Sequence, residues 1–278
     1  MVTGLSLIGC STNRQSEPTS IPPVATQPSE PTLLPPGPNW QLAFADEFDK
    51  PTLNISKWDT CFHFVDDIAG APGCILGYDL SSLFRADDVL PQADGTLHLR
   101  AQKRATVAYN KPYTYTTGML SSLAHYTFQY GYVEIRMKAS HGQGLWNAFW
   151  LMPASKKWPP EIDVLEILGN QTDVTHTTLH YTNPANENLN IGQPFTSTTD
   201  LAGDFHTFAV KWTKENIVWY VDGMERFRQT DHIPQEPMYV LATLSAGNAT
   251  SWPGEPDSTT PLPSYMQIDY IRVYQTKP

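Results

Sequence analysis

Cysteine is scarce in this chain, with three residues in 278, at positions 10, 61 and 74. Three thiols cannot build the dense disulfide framework of a small secreted module, nor a cysteine-only zinc site. Basic residues are scarce too. Eighteen Lys and Arg face 28 Asp and Glu, a formal net charge of −10, and no run of Lys or Arg occurs. Nucleic acids need a basic footprint, so no nucleic-acid partner is expected. No stretch approaches the ~20 apolar residues of a membrane span. Apolar residues rarely recur at helical spacing over ten or more positions, which disfavours a helical fold.

Aromatic residues are plentiful, with eight Trp and thirteen Tyr. Most must pack a core, but such rings also stack on sugars, so a carbohydrate surface is the partner to look for. At the N-terminus, "LSLIGCS" (Leu5 to Ser11) resembles the end of a bacterial lipoprotein signal, without the basic leader such signals carry. Residues 1–10 are therefore expected to be a signal remnant, with Cys10 lipidated and the protein extracellular or at the cell surface. That lipid would be its sole tie to a membrane. Residues 11–38 are rich in Pro, Ser, Thr, Gln and Glu and cannot bury enough surface to offset chain entropy, so they read as a linker. Residues 39–278 read as a single domain, expected to act as a monomer. Cys61 and Cys74 bracket "CFHFVDDIAGAPGC" and are expected to close a disulfide loop, two free thiols being the alternative.

The pattern of the domain is β. "GYVEIRMK" alternates Val133, Ile135 and Met137 with Glu134, Arg136 and Lys138, and "TLHLRA" alternates Leu97 and Leu99 with His98 and Arg100. "NIVWYVDGME" predicts a hairpin turning at Asp222-Gly223. Many short strands with Gly, Pro, Asn and Asp between them imply two stacked antiparallel sheets, a sandwich or jelly roll.

One stretch resists this pattern. "WPPEIDVLEILG", residues 158–169, sets three acids inside an aliphatic run. As a strand it shows Glu161 and Asp163 on one face and Ile162 and Val164 on the other. Strict alternation turns Glu166 to the wrong side. One extra residue among Val164, Leu165 and Glu166, a β-bulge, would bring all three acids to one face. The two Glu backbones would then stand roughly 13 Å apart. Side chains leaning inward across a sugar could approach the ~5–5.5 Å of a retaining glycosidase. The middle acid would help to separate the pKa values of the outer two. A solvated acidic face would not explain the aliphatics, and a calcium loop would want Gly and Asn in their place. His176 and His180 in "HTTLH" do not make a zinc pair, because on a strand they lie ~13 Å apart.

Glu161-Ile162-Asp163-Val164-Leu165-Glu166 resembles the E-x-D-x-x-E motif of glycoside hydrolase family 16, in the bulged form of its laminarinase-like members. "FADEFD" with "LNISKW", "YGYVEIRMKASHGQGLWNAFWLMP", "DFHTFAVKWTKENIVWYVDG" and "IDYIRVYQ" are similar to the family's other landmarks, in the family's order. The resemblance implies a concanavalin-like β-jelly-roll sandwich with a concave substrate cleft. It implies Glu161 as nucleophile, Asp163 as its helper and Glu166 as general acid/base. Trp146 would be a sugar platform with Trp150 near it, and His180 and Trp252 would face the same cleft. Catalysis would need no cofactor. A structural calcium on the convex face would fall to Glu47, the Gly95 carbonyl and Asp269. The chain departs from the pattern at Tyr78 and Asp79, and at Thr243 where relatives carry Asn, so the glycan cannot be copied across. The function expected is a retaining endo-β-glycanase acting on β-1,3 or mixed-linkage β-1,3-1,4-glucan. A galactan hydrolase, a transglycosylase and a lectin-like binder on the same fold are the alternatives.

Overall fold

Side-chain alternation decides the architecture, because each strand has one face that must leave water. A computed structural model describes residues 35, 39–62 and 81–276. They belong to one compact unit, Pro35–Pro278. The signal and lipid readings of residues 1–10, the linker reading apart from Pro35, and Cys74, Tyr78 and Asp79 lie outside the described residues. Cys61 is disulfide-bonded. Among the described residues, no helix is long and apolar enough to cross a membrane.

The first eight strands are β1 (Trp40–Asp46), β2 (Ser82–Phe84), β3 (Val89–Pro91), β4 (Leu97–Ala108), β5 (Lys111–Thr117), β6 (Met119–Ser121), β7 (Gly131–Lys138) and β8 (Leu145–Pro153). Then come β9 (Glu161–Leu168), β10 (Val174–Thr182), β11 (Asn188–Thr196) and β12 (His206–Trp212). The last four are β13 (Ile217–Val221), β14 (Met224–Gln229), β15 (Met238–Ala246) and β16 (Ser264–Thr276). One sheet runs β14-β13-β12-β7-β16-β4-β5-β2, with β1 on β16 and β3 on β4. The other runs β11-β10-β9-β8-β15-β6. This is the jelly-roll sandwich expected from the alternation. One pair departs from the antiparallel rule: β2 lies parallel to β5, with β3 and β4 supplying the crossover that a parallel pair needs.

Val133, Ile135 and Met137 of β7 are fully buried against Phe149 and Leu151 of β8 and the aliphatics of β9 in one core cluster. The expected Asp222-Gly223 turn joins β13 to β14, and both residues have positive φ (51° and 72°), the geometry of a type I′ turn. Glu134, by contrast, is not a solvent-facing residue. It is 2% exposed, beneath the hydroxyls of Tyr270 (2.8 Å) and Tyr132 (3.2 Å), which donate to its carboxylate. Aromatic residues roof the outer face of this sheet, so simple alternation misjudges that position.

β9 carries the bulge that the three acids require. Against β8 the register runs Ala148 to Glu166 and Phe149 to Leu165, then slips so that Trp150 faces Asp163. Against β10 it slips at the same place, between Glu166 opposite His176 and Asp163 opposite Thr178. Val164 is the extra residue. Adjacent Val164 and Leu165 therefore both point into the core, where an unbulged strand would send one outward. The Asp163 carbonyl accepts a hydrogen bond from Trp219 Nε1 of β13, at 2.8 Å, across the sandwich. Asn147, fully buried, braces the other end: its side chain donates to the Ile167 and Ser140 carbonyls and accepts from the Ser140 N–H.

Trp219→Phe keeps most of the ring packing but strands the buried Asp163 carbonyl. We expect a loss of about 1–3 kcal/mol in denaturant unfolding, the cost of an unsatisfied buried acceptor. Activity measured at a temperature where the variant is fully folded should fall as well, because the same bond seats the acids. Unchanged stability and activity would show that the bulge does not depend on this indole.

Candidate active site

The β9 bulge converts a five-residue step along the chain into four steps of its neighbour. Glu161 faces His180 and Glu166 faces His176, with Asp163 opposite Thr178 between them. On the other flank, Trp150 faces Asp163 and Ala148 faces Glu166. The acids thus run along the floor of a cleft of about 750 Å³. Trp146, Trp150, Trp158 and Trp252 line it, with Phe62, Phe84, Thr243, Ser245 and the loop residues Asn248, Thr250 and Ser251. This size suits a bound oligosaccharide segment.

The structure brings together Glu161, Asp163, Glu166, Trp146, Trp150, His180 and Trp252, as read from the sequence. Trp252, about half exposed, stands edge-on to Trp146 (5.7 Å between centroids) and to His176 (4.8 Å). Trp150 Nε1 donates to Thr243 Oγ1 at 3.3 Å, so the residue that departs from the family pattern holds a cleft tryptophan. Sequence reasoning missed two contributors. Trp158 donates its indole N–H to Glu161 Oε2 at 2.5 Å and lies beside the His180 ring. Its signal was present: the residue stands three places before Glu161, at the edge of the acidic run. The second is the pair His176 and Thr178, which alternation along β10 turns toward the acids beside His180.

Electrostatics set the three carboxylates apart from ordinary surface acids. Asp163 is 2% exposed, and burial, followed by the charge of Glu166, holds its carboxyl well above the usual range. Burial and then the charge of Asp163 raise Glu161 likewise, while His180 and Trp158 pull it back. Burial and the charge of Glu161 push Glu166 up to about 8, against the Trp146 indole, which favours the ionised form. Asp163 Oδ2 lies 3.1 Å from His180 Nε2, an ion-pair approach that is not aligned as a hydrogen bond.

The calcium set fits less well. Both oxygens of Glu47 are held by Arg272, at 2.8 and 2.6 Å, and Asp269 accepts from Arg136 at 2.7 Å. Each carboxylate is paired with a guanidinium, which a calcium ion held by Glu47, the Gly95 carbonyl and Asp269 would have to displace.

The folded pKa of Glu166 is raised above its ordinary 4.5, so the native state binds the extra proton between that pH and about 8. Stability tied to this group is full at low pH and is lost as pH rises through about 8. Glu166→Gln should therefore melt higher than wild type at pH 8, by several degrees, and the gap should close below pH 4.5. Thermal melts from pH 4 to 9 would decide; a gap independent of pH would refute the assignment.

The sequence profile of the Glycosyl hydrolases family 16 matches residues 79–272. Endo-1,3-1,4-beta-glycanase ExsH of Rhizobium meliloti (strain 1021) is 39% identical over 163 residues, 58% of this chain and 34% of that protein. The chain thus spans about a third of ExsH's length. A beta-glucanase of Rhodothermus marinus is 29% identical over 263 residues, 86% of each chain. Among solved structures, the catalytic domain of an endo-1,3-beta-glucanase (laminarinase) from Thermotoga petrophila RKU-1 is similar at a TM-score of 0.75 and 28% identity, covering 86% of this chain and 99% of that one. The matched residues carry all three acids of β9 and the four cleft tryptophans, and the chain belongs to the glycosyl hydrolases family 16.

Proposed function

We propose that this chain is a retaining endo-β-glycanase that hydrolyses neutral β-1,3 or mixed-linkage β-1,3-1,4-glucan. The observation that carries the reading is the bulged strip of three buried acids, one of them protonated up to about pH 8, on the floor of a tryptophan-lined cleft. A lectin-like binder has no use for a carboxyl held protonated beside another carboxylate. The activities named for ExsH, the Rhodothermus beta-glucanase and the Thermotoga laminarinase support a β-glucan. So does the cleft wall: its lining has no Lys or Arg among the described residues, whereas a sulfated galactan would need cations to meet its charge.

The chemistry follows from the two environments. Glu166 gives its proton to the glycosidic oxygen as the C–O bond breaks, so the leaving sugar departs as an alcohol. Glu161 attacks the anomeric carbon from the opposite side and forms a glycosyl ester. Water then enters; Glu166, now ionised, takes its proton, and the ester opens with retention. Asp163, wholly buried, shares a hydrogen bond with Glu161 and raises its proton affinity, while the Trp158 N–H and His180 favour the ionised nucleophile. Trp146, Trp150 and Trp252 offer ring faces and edges to the sugar. The same reading puts the enzyme outside the cell as a monomer, anchored through lipid on Cys10; the "LSLIGCS" stretch and the disulfide at Cys61 support export.

Because the general acid must be protonated, kcat/KM should fall as pH rises through about 8. Glu166→Gln should cost about 10²–10⁴-fold and abolish that limb. Glu161→Gln should be inactive on every glycan the wild type cleaves. An intact alkaline limb in Glu166→Gln, or inverted product anomers by NMR, would defeat the mechanism. On a panel of laminarin, mixed-linkage glucan, agarose and carrageenan, the first two should be cut and the sulfated carrageenan left intact. Turnover of carrageenan above that of both glucans would overturn the substrate class.

A further inference from the structure

Glu161, Asp163 and His180 present two carboxylate oxygens and one imidazole nitrogen that all lie within 4.8 Å of one another. We infer that this triplet is a binding site for a divalent transition ion of the zinc type, and that ion and glycan compete for it. The sequence spacing pointed to another pair, His176 with His180, which the strand holds apart. Sheet register replaces it, setting His180 directly opposite Glu161 and two register positions from Asp163.

A second observation points to a cation. Asp163 is 2% exposed, yet its Oδ2 makes no hydrogen bond, and it lies 3.1 Å from His180 Nε2. A buried carboxyl oxygen that makes no hydrogen bond is costly. A doubly charged ion would satisfy it and relieve the repulsion between Glu161 and Asp163 together. The donor set also selects the ion. Imidazole with two carboxylates suits zinc and its neighbours, whereas calcium and magnesium favour oxygen alone. Three protein ligands leave a fourth position open to the cleft, where water would complete a tetrahedron. Tetrahedral zinc wants its ligand atoms roughly 3.3 Å apart, so a side-chain rotation of Glu161 away from Trp158 would close the set.

An ion held there occupies the oxygen with which Glu161 would attack. Inhibition therefore rests on the hydrolase reading, but ion binding does not. Calorimetric titration of the full chain with zinc chloride should show one ion per chain, with no binding of magnesium or calcium at this site. His180→Ala and the near-isosteric Asp163→Asn should each weaken zinc at least about tenfold, the scale of losing even an outer-shell partner. His176→Ala should bind as wild type does. Asp163→Asn serves as the test if thermal melts show that His180→Ala has not folded. On laminarin, zinc should raise apparent KM at constant kcat. No zinc binding by the wild type, equal binding by His180→Ala or Asp163→Asn, or a fall in kcat at constant KM would overturn the proposal. Triplet-dependent zinc binding by a chain that cleaves no glycan would leave the site standing and sink the hydrolase reading instead.

Discussion

One hydrogen bond joins the two sheets at the place where chemistry is concentrated. Trp219 of β13 donates to the carbonyl of Asp163, at the residue where β9 departs from regular pairing. A bulge frees backbone groups that a regular ladder would have paired, and buried free carbonyls are expensive. The indole supplies the missing donor from across the core. The bulge in turn decides that Glu166 shares a face with Glu161 and Asp163. Without it the strand would bury one carboxylate among Phe149, Leu151 and Ile167. The acidic strip, the cleft and the ion site all depend on this one offset.

The strip works against stability. Three carboxyls sit close together with little water, and each has its proton affinity raised chiefly by burial. The rest of the sandwich, with its continuous aliphatic core, tolerates that cost. Enzymes commonly hold destabilised groups at the site where the reaction needs them. The cluster holds protons that isolated carboxylates would lose, so protonated and ionised carboxyls can coexist beside the buried core.

Several features were legible in the chain and others were not. The alternation in β7 announced Val133, Ile135 and Met137, and the impossible position of Glu166 announced the bulge. Trp158 was in plain view but carried no role in the sequence reading, because an indole N–H bond to a side chain three residues on depends on the path of the intervening chain. Glu134 looked solvent-facing because period two cannot report that Tyr132 and Tyr270 cover it from their own and a neighbouring strand. Nothing local reveals that Arg272 and Arg136 reach Glu47 and Asp269, because these pairs form between strands.

By itself the sequence determined the fold class, the membership of Glu161, Asp163 and Glu166 in one strand, and the need for an extra residue between them. These are properties of side-chain period and of the cost of buried charge, which act within a few residues. Only the tertiary structure decided which strands flank β9 and in what register. That register sets His180 opposite Glu161, Trp150 opposite Asp163 and Trp219 beneath the bulge. Cross-strand partners come from segments ten to sixty residues away, and their offset is a compromise among all the hydrogen bonds and packed faces of both sheets. No local pattern encodes it.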